Sequence, residues 1–310
     1  MLKPHLSPFL CAILFTVLVA IPVKADAANT FTGAVASDGT VLRVNRISGT
    51  AEWLSESGSV ISSFPLPFKT KKSVGIAFDG THIFVFVFNN RRVYELDRTG
   101  QLIRKLKFPA GIRRLLVDSV RIVAFPSRYH KSASLYWEMD RETGKVRKYH
   151  FTIKDLVGSL DITKGRDRKA IIMGLSWGGA CLDGQDIRYV VPVGSDLLKI
   201  KGDHVLNRQV IPLSAQIRMT HTRSYLPTTT AHYDAYIRDL FPTSNKQFWG
   251  MFNKTGESPM LFLWKDRQGI LAEKAFPGQA LIGTHKGEAV LLNPKTGAIT
   301  RIPAFSQIFK

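Results

Sequence analysis

A glycine-centred hairpin segment recurs along the chain and limits the available folds more than any other feature. In its first three copies an alternating apolar and polar strand leads into a polar turn closed by Gly58, Gly100 or Gly144, and a second alternating strand follows. Alternation of period two on both sides of a glycine turn is typical of a β-hairpin. The three glycines lie 42 and then 44 residues apart. A period of that size in an all-β chain predicts the blades of a β-propeller.

Three further glycine turns continue the pattern less regularly. Gly202, Gly269 and Gly297 follow at intervals of 58, 67 and 28 residues. The two long intervals leave room for insertions near residues 176–186 and 222–246, and the second insertion is predicted to lead into a short helix from His232 to Leu240. We therefore predict an all-β protein with one domain over residues 28–310, built as a β-propeller of six four-stranded blades. Seven blades is the alternative count.

The last interval is too short for a complete blade. It holds only three strands, so Phe31 to Ala36 is predicted to supply the fourth. Such pairing of the N- and C-terminal strands would close the ring and remove exposed sheet edges.

The second copy also carries a resemblance to known repeats. Residues 75–84 read Gly-Ile-Ala-Phe-Asp-Gly-Thr-His-Ile-Phe, and residues 92–100 read Arg-Val-Tyr-Glu-Leu-Asp-Arg-Thr-Gly. These segments resemble the β-propeller repeats of the NHL, YVTN and gluconolactonase-like group, and the similarity extends over about residues 31–151 and 260–303. The resemblance implies a blade and no particular activity.

Residues 1–27 have the organisation of a secretory signal peptide. Lys3 supplies a positive start, Phe9 to Val23 is an apolar run too short to cross a bilayer comfortably, and Ala25-Asp26-Ala27 is a small-x-small cleavage site. We expect cleavage and a periplasmic or secreted protein with no transmembrane segment in the mature chain; an uncleaved membrane anchor is the alternative. Cys11 would leave with the signal, so Cys181 could form no internal disulfide.

The charge of the chain predicts an anionic partner. The formal net charge is +19, and removal of the signal peptide leaves +18. Such a protein attracts acidic polysaccharide, lipid headgroups, phosphate polymers or nucleic acid. The alternative is that exported proteins of the source organism are basic in general, so that the charge indicates no particular partner.

Strand order predicts where the positive charge collects. In an antiparallel blade, the loop between the second and third strands opens on the same face as the link to the next blade. The residues predicted to converge on that face, and so to form a binding site, are Lys71, Lys72, Asn89, Asn90, Arg91, Arg92, Arg113, Arg114, Arg128 and His130. Arginine pairs suit bidentate contacts to carboxylate or phosphate, and the asparagines add hydrogen-bonding groups. Solvation of polar loops is the competing explanation.

One motif points to catalysis instead. Gly174-Leu-Ser176-Trp-Gly178 matches the nucleophile elbow G-x-S-x-G, in which a helix follows the serine. Here a glycine-rich stretch follows, and the surrounding pattern lacks alternating strands and helices, so a loop between strands explains the motif better. A metal site near the propeller axis would draw on Asp118, Asp161 and Asn89, but no ligand spacing unites them.

The sequence therefore predicts an exported binding module with no chemistry of its own and no cofactor. Its partner would be an anionic polymer, such as an acidic polysaccharide, or an acidic protein surface, and membership of an envelope complex is a third option. The alternative is a propeller enzyme, either a lactone or ester hydrolase using Ser176, or a quinone- or metal-dependent sugar or alcohol oxidoreductase.

Overall fold

The structure, a computed structural model, is almost entirely β-sheet. It describes residues 30–70, 72–127, 134–157, 178–191, 196–211, 235–243, 247–254, 258–265 and 268–303. None of the helices in these ranges is long and apolar enough to cross a membrane.

The strands form six separate antiparallel sheets in chain order, which we number blades 1 to 6. Blade 1 contains β1 (Phe31–Val35), β2 (Val41–Asn45), β3 (Thr50–Leu54) and β4 (Val60–Pro65), and blade 2 contains β5 (Val74–Phe78), β6 (Ile83–Val87), β7 (Arg92–Leu96) and β8 (Leu102–Lys107). Blade 3 contains β9 (Ile112–Val117), β10 (Arg121–Pro126), β11 (Tyr136–Asp140) and β12 (Val146–Tyr149), followed by the short helix α1 (Ile153–Val157). Blade 4 contains β13 (Ala180–Asp183), β14 (Asp186–Val190), β15 (Asp196–Lys201) and β16 (His204–Val210). Blade 5 contains β17 (Ala235–Pro242), β18 (Gln247–Lys254), β19 (Met260–Lys265) and β20 (Gly269–Ala275), and blade 6 contains β21 (Ala280–His285), β22 (Glu288–Leu292) and β23 (Ile299–Ile302).

The six blades are arranged in a ring. The first strand of each blade contacts the first strand of the next, and β21 of blade 6 contacts β1 of blade 1. The first strands are therefore innermost. This arrangement confirms the predicted six-bladed β-propeller.

The hydrophobic core lies between adjacent blades. One cluster joins Leu42, Val44 and Trp53 of blade 1 to Ile83 and Val85 of blade 2. All five residues of β6 are buried, as expected for a strand covered on both faces.

In two of the blades a glycine makes room for an aromatic ring on the neighbouring strand. Gly75 lies directly opposite Phe86, and a Cβ atom at Gly75 would come within 2.2 Å of the Phe86 ring. Gly250 and Phe262 repeat the same arrangement in blade 5, also at 2.2 Å. In both blades the absence of a side chain on glycine leaves space for the ring.

The ring closes differently from the prediction. β1 pairs with β2 along its whole length and belongs to blade 1, so it does not complete blade 6, which has three strands among the described residues. A tight turn joins β1 to β2, and this local pairing costs little loop-closure entropy. Blades 6 and 1 instead meet through side chains, in a cluster that includes Val41, Leu54, Ile282 and Leu292.

Two further predictions are corrected by the strand positions. The Gly297 turn joins β22 to β23, the second and third strands, whereas Gly58, Gly100, Gly144, Gly202 and Gly269 lie between third and fourth strands. That difference explains the interval of only 28 residues between Gly269 and Gly297.

The helix predicted from His232 to Leu240 is replaced in the described part by β17, which pairs with β18. The proposed insertions near 176–186 and 222–246 overlap the innermost strands β13 and β17. Residues 176–177, 222–234 and 244–246 lie outside the described residues.

Candidate functional site: a cationic pocket on blade 2

Acidic and basic residues are distributed unequally between the two faces of the ring. We call the upper face the one that carries the loops between second and third strands and the links between blades; the lower face carries the other loops. In the described upper loops the cations are Arg46, Lys69, Lys72, Arg91, Lys154 and Lys295. Asp155 is the one carboxylate among those same upper-loop residues. The described lower loops hold the carboxylates Asp38, Glu56, Asp79, Asp97, Asp118, Glu142 and Asp203.

A pocket opens on the upper side of blade 2. It has a volume of about 370 Å³ and is lined by Lys72, Val87, Phe88, Asn89, Asn90, Arg91, Arg92 and Lys107. Four lining residues are cations, two are amides and none is a carboxylate. The pocket thus offers positive charge and hydrogen-bond donors to a small chemical group that enters it from the solvent.

The loop that carries the asparagines is held on both sides by backbone hydrogen bonds. The Phe88 N–H donates to the Ser73 carbonyl in the preceding link, at 2.9 Å. On the other side the Asn89 N–H donates to the Ile112 carbonyl at 3.0 Å, and the Ile112 N–H donates to the Asn90 carbonyl at 2.9 Å. The loop is therefore fixed between the link before blade 2 and the first strand of blade 3.

Two local features support this loop conformation. Asn89 adopts a left-handed backbone conformation with φ of 66°, which asparagine tolerates better than most residues. A Cβ atom on Gly111 would lie 2.5 Å from the Asn89 carbonyl oxygen, so glycine is what lets the link approach the loop.

The pocket cations differ from the lower-face arginines in their partners. The side chains of Lys72, Arg91, Arg92 and Lys107 form no ion pair with a carboxylate in the part of the chain that the structure describes. Arg92 and Lys107 are directly opposite one another on β7 and β8, which brings two like charges together. Like charges at directly opposed positions are destabilising, so an anion bound between them would relieve an unfavourable contact.

Lower-face arginines connect neighbouring blades through ion pairs. Arg98 of blade 2 pairs with Asp38 of blade 1 at 2.8 Å, and Arg141 of blade 3 pairs with Asp79 of blade 2 at 2.5 Å. The second pair is nearly buried, and Arg141 also contacts Glu95 at 3.1 Å. These arginines stabilise the ring and leave little charge for a ligand.

The aspartates of both pairs are strongly acidic. The pKa of Asp38 falls to about 2, chiefly because the Thr40 hydroxyl donates to its carboxylate, with Arg98 contributing. Burial opposes ionisation of Asp79, but donors from His82, Thr81 and Arg141 outweigh it and lower its pKa to about 2. Both carboxylates are therefore charged at neutral pH.

The structure brings together half of the residues predicted for the site. Lys72, Asn89, Asn90, Arg91 and Arg92 all line the pocket. Lys71, Arg128 and His130 lie outside the described residues. Lys107 was missed, although counting outward from the Gly100 turn along the hairpin would have placed it opposite Arg92.

Arg113 and Arg114 lie elsewhere than predicted. Both belong to β9, the innermost strand of blade 3, and neither lines the pocket. Arg114 contacts Asp239 of β17 at 3.5 Å, so this ion pair joins the inner strands of blades 3 and 5. The link before blade 3 ends at Gly111, because Ile112 is buried and hydrogen-bonded to the blade 2 loop, and both arginines therefore fall within the strand.

Two of the residues predicted as candidates for catalysis or metal binding lie where the structure describes nothing. Ser176 and Asp161 lie outside the described residues, and Asp118 forms an ion pair with Arg121 at 3.0 Å. No group of three or more His, Cys, Asp or Glu side chains in the described ranges is close enough to hold a metal ion. Cys181 is buried, which raises the pKa of its thiol.

The fold and the pocket together define a six-bladed β-propeller with a cationic site on one face. No protein-family model and no curated protein matches the sequence. Similar solved structures are β-propeller proteins of varied roles.

Three of these structures illustrate the range. Hydrazine synthase of Kuenenia stuttgartiensis is 12% identical, with a TM-score of 0.54 over 93% of this chain and 99% of that chain. Virginiamycin B lyase of Staphylococcus aureus is 12% identical, with a TM-score of 0.51 over 88% of this chain and 80% of that chain. The Cps50 (Swd1) beta-propeller domain of Myceliophteria thermophila is 10% identical, with a TM-score of 0.51 over 90% of this chain and 97% of that chain. At these identities the likeness establishes the fold alone.

Proposed function

We propose that this protein is an exported binding module, periplasmic or secreted, that holds an anionic polymer such as an acidic polysaccharide against its upper face. It has no chemistry of its own in this proposal. The observation that carries the proposal is the pocket on blade 2, in which four cations without ion-pair partners among the described residues meet two asparagine amides. Export rests on the signal-peptide pattern of residues 1–27.

The unequal distribution of charge supports binding at the upper face. With Asp155 as the one carboxylate in the described upper loops, little negative charge there competes for the cations. A surface of one sign raises the local concentration of oppositely charged ligands and speeds their association.

A polymer suits this pocket better than a folded acidic protein. Protein interfaces usually centre on aromatic or apolar anchors, whereas the exposed part of this pocket is entirely polar and consists of Lys72, Asn89, Asn90, Arg91, Arg92 and Lys107. An acidic protein partner, including a subunit of an envelope complex, is the competing outcome of the test.

The test compares two matched double variants on a heparin column and on a polyglutamate column. Arg91→Ala/Arg92→Ala removes two pocket cations, while Arg147→Ala/Lys148→Ala removes two exposed cations of β12 that do not line the pocket. We expect the first variant to elute from heparin at clearly lower salt, with the slope of log affinity against log salt reduced by about 2, and the second to lose much less.

Two results would contradict the proposal. Elution of the two double variants from heparin at the same salt concentration would show that the upper face is not the binding surface. Stronger retention of the parent protein on polyglutamate than on heparin would assign an acidic protein surface in place of the polymer.

A further inference from the structure

We propose that the pocket on blade 2 binds two adjacent phosphate groups, as in a diphosphate or polyphosphate chain, in preference to isolated carboxylates. This inference rests on the proposed function and specifies the group of the ligand that the protein anchors. The residues that would hold it are Lys72, Arg91, Arg92 and Lys107, with the Asn89 and Asn90 amides beside them.

The first argument is the amount of charge in one place. Four cations line the pocket, with no carboxylate among its lining residues. A phosphate monoester carries about −1.5 to −2 at pH 7, so two phosphate groups joined as a diphosphate offset most of the four positive charges. A single carboxylate would leave most of the positive charge unneutralised.

The second argument is the position of Arg92 and Lys107. They are a directly opposed pair on neighbouring strands, and Arg91 precedes Arg92 in the chain. Side chains at such positions start about 5 Å apart, a spacing that favours two oxyanions held close together over isolated carboxylates. Each arginine can also make two parallel hydrogen bonds to one phosphate.

The third argument is the size and rigidity of the pocket. Its volume of about 370 Å³ corresponds to roughly twelve water molecules, which is room for a compact diphosphate group but not for a folded element. The backbone of the loop is fixed by Ser73 on one side and Ile112 on the other. Because the loop backbone is already held, the entropy lost on binding falls mainly on the lysine and arginine side chains.

The experiment is isothermal titration calorimetry of the full chain at pH 7 with pyrophosphate, inorganic phosphate and citrate. Citrate carries a comparable charge on three carboxylates and so controls for charge alone. We expect pyrophosphate to bind at least about tenfold more tightly than phosphate or citrate, because bidentate contacts from arginine are added to the charge. Arg91→Ala/Arg92→Ala should lose about tenfold or more of the pyrophosphate affinity, and Arg147→Ala/Lys148→Ala should retain it.

The heparin column separates failure of this inference from failure of the proposed function. If heparin retention depends on Arg91 and Arg92 but citrate binds as tightly as pyrophosphate, or pyrophosphate does not bind, the phosphate assignment is overturned and the anion-binding face remains. If pyrophosphate affinity is unchanged by Arg91→Ala/Arg92→Ala, the assignment of the pocket is overturned. If heparin retention is also unaffected, the proposed function fails with it.

Discussion

Replacing Arg141 by alanine removes the central cation of an ion cluster between blades 2 and 3. The Arg141 guanidinium contacts the carboxylates of Asp79 at 2.5 Å and Glu95 at 3.1 Å, and it donates to the Asp118 carbonyl at 2.7 Å. Its side chain is 11% exposed, and those of Asp79 and Glu95 are 2% and 3% exposed. The variant therefore leaves two nearly buried carboxylates without their shared partner.

The expected cost follows from what remains in place. Removal of one partner from a buried ion pair typically destabilises a protein by 3–5 kcal/mol. Arg104 still pairs with Glu95, and backbone N–H groups of Thr81 and His82 still donate to Asp79, so we expect a loss near the lower limit, about 3 kcal/mol. Urea unfolding monitored by tryptophan fluorescence at pH 7 measures this loss.

Arg98→Ala is the matched control because it breaks the equivalent contact between blades 1 and 2. Arg98 and Asp38 are 43% and 46% exposed, and the guanidinium also lies 4.7 Å from the centre of the Trp53 ring. An exposed ion pair and a cation–π contact together predict a loss of about 1 kcal/mol. Equal losses for Arg98→Ala and Arg141→Ala would refute the reasoning that burial determines the strength of these contacts.

Three further predictions concern packing, acid stability and thiol reactivity. Gly75→Ala should destabilise the protein by about 2 kcal/mol in urea unfolding, because the new Cβ atom would lie 2.2 Å from the Phe86 ring in a packed core; an unchanged midpoint would show that the ring can move. The folded-state pKa of Asp79, about 2, lies below its unfolded value, so its stabilising contribution of about 2 kcal/mol is complete above about pH 4 and is lost as pH falls towards 2. Unfolding free energies from pH 5 to 2 measure this loss, and an Asp79→Asn variant with the same pH dependence as the parent would contradict it. Cys181 should react with a disulfide reagent at least about a hundredfold more slowly in the folded protein than in urea, since it is buried and burial raises the pKa of its thiol; equal rates would place it at the surface.

Local features of the fold were predictable from the sequence. Gly58 and Gly100 have φ of 86° and 89°, a conformation that glycine adopts without strain, so the hairpin turns could be located from single residues. The apolar run of β6 likewise reflects its own burial on both faces.

Features that depend on distant pairing were not predictable in the same way. Most of β17 was predicted to be helical, because the pairing of β17 with β18 cannot be recognised from the residues of β17 alone. The placement of the Gly297 turn depends on which strand of blade 6 is innermost, and the pattern of one hairpin cannot show this.

The candidate site likewise combines residues that were predictable from local sequence with contacts that depend on distant packing. Lys72, Asn89, Asn90, Arg91 and Arg92 come from two segments whose positions follow from strand order, and the structure brings them to one pocket. Arg113 and Arg114 were displaced by a strand boundary only a few residues from the expected place. The ion pairs between Arg98 and Asp38, and between Arg141 and Asp79, join residues about sixty positions apart and depend on how the blades pack. The binding role of the pocket residues remains a prediction.

Lysine footprinting tests the binding face most directly. The full chain is acetylated briefly with and without a saturating anion, first heparin and then pyrophosphate, and the modification of each lysine is measured by mass spectrometry. Protection is expected at Lys72 and Lys107, which line the pocket, and not at Lys145 of a lower loop or Lys148 of β12. Protection of Lys145 with Lys72 unprotected would place the ligand on the opposite face and contradict the account.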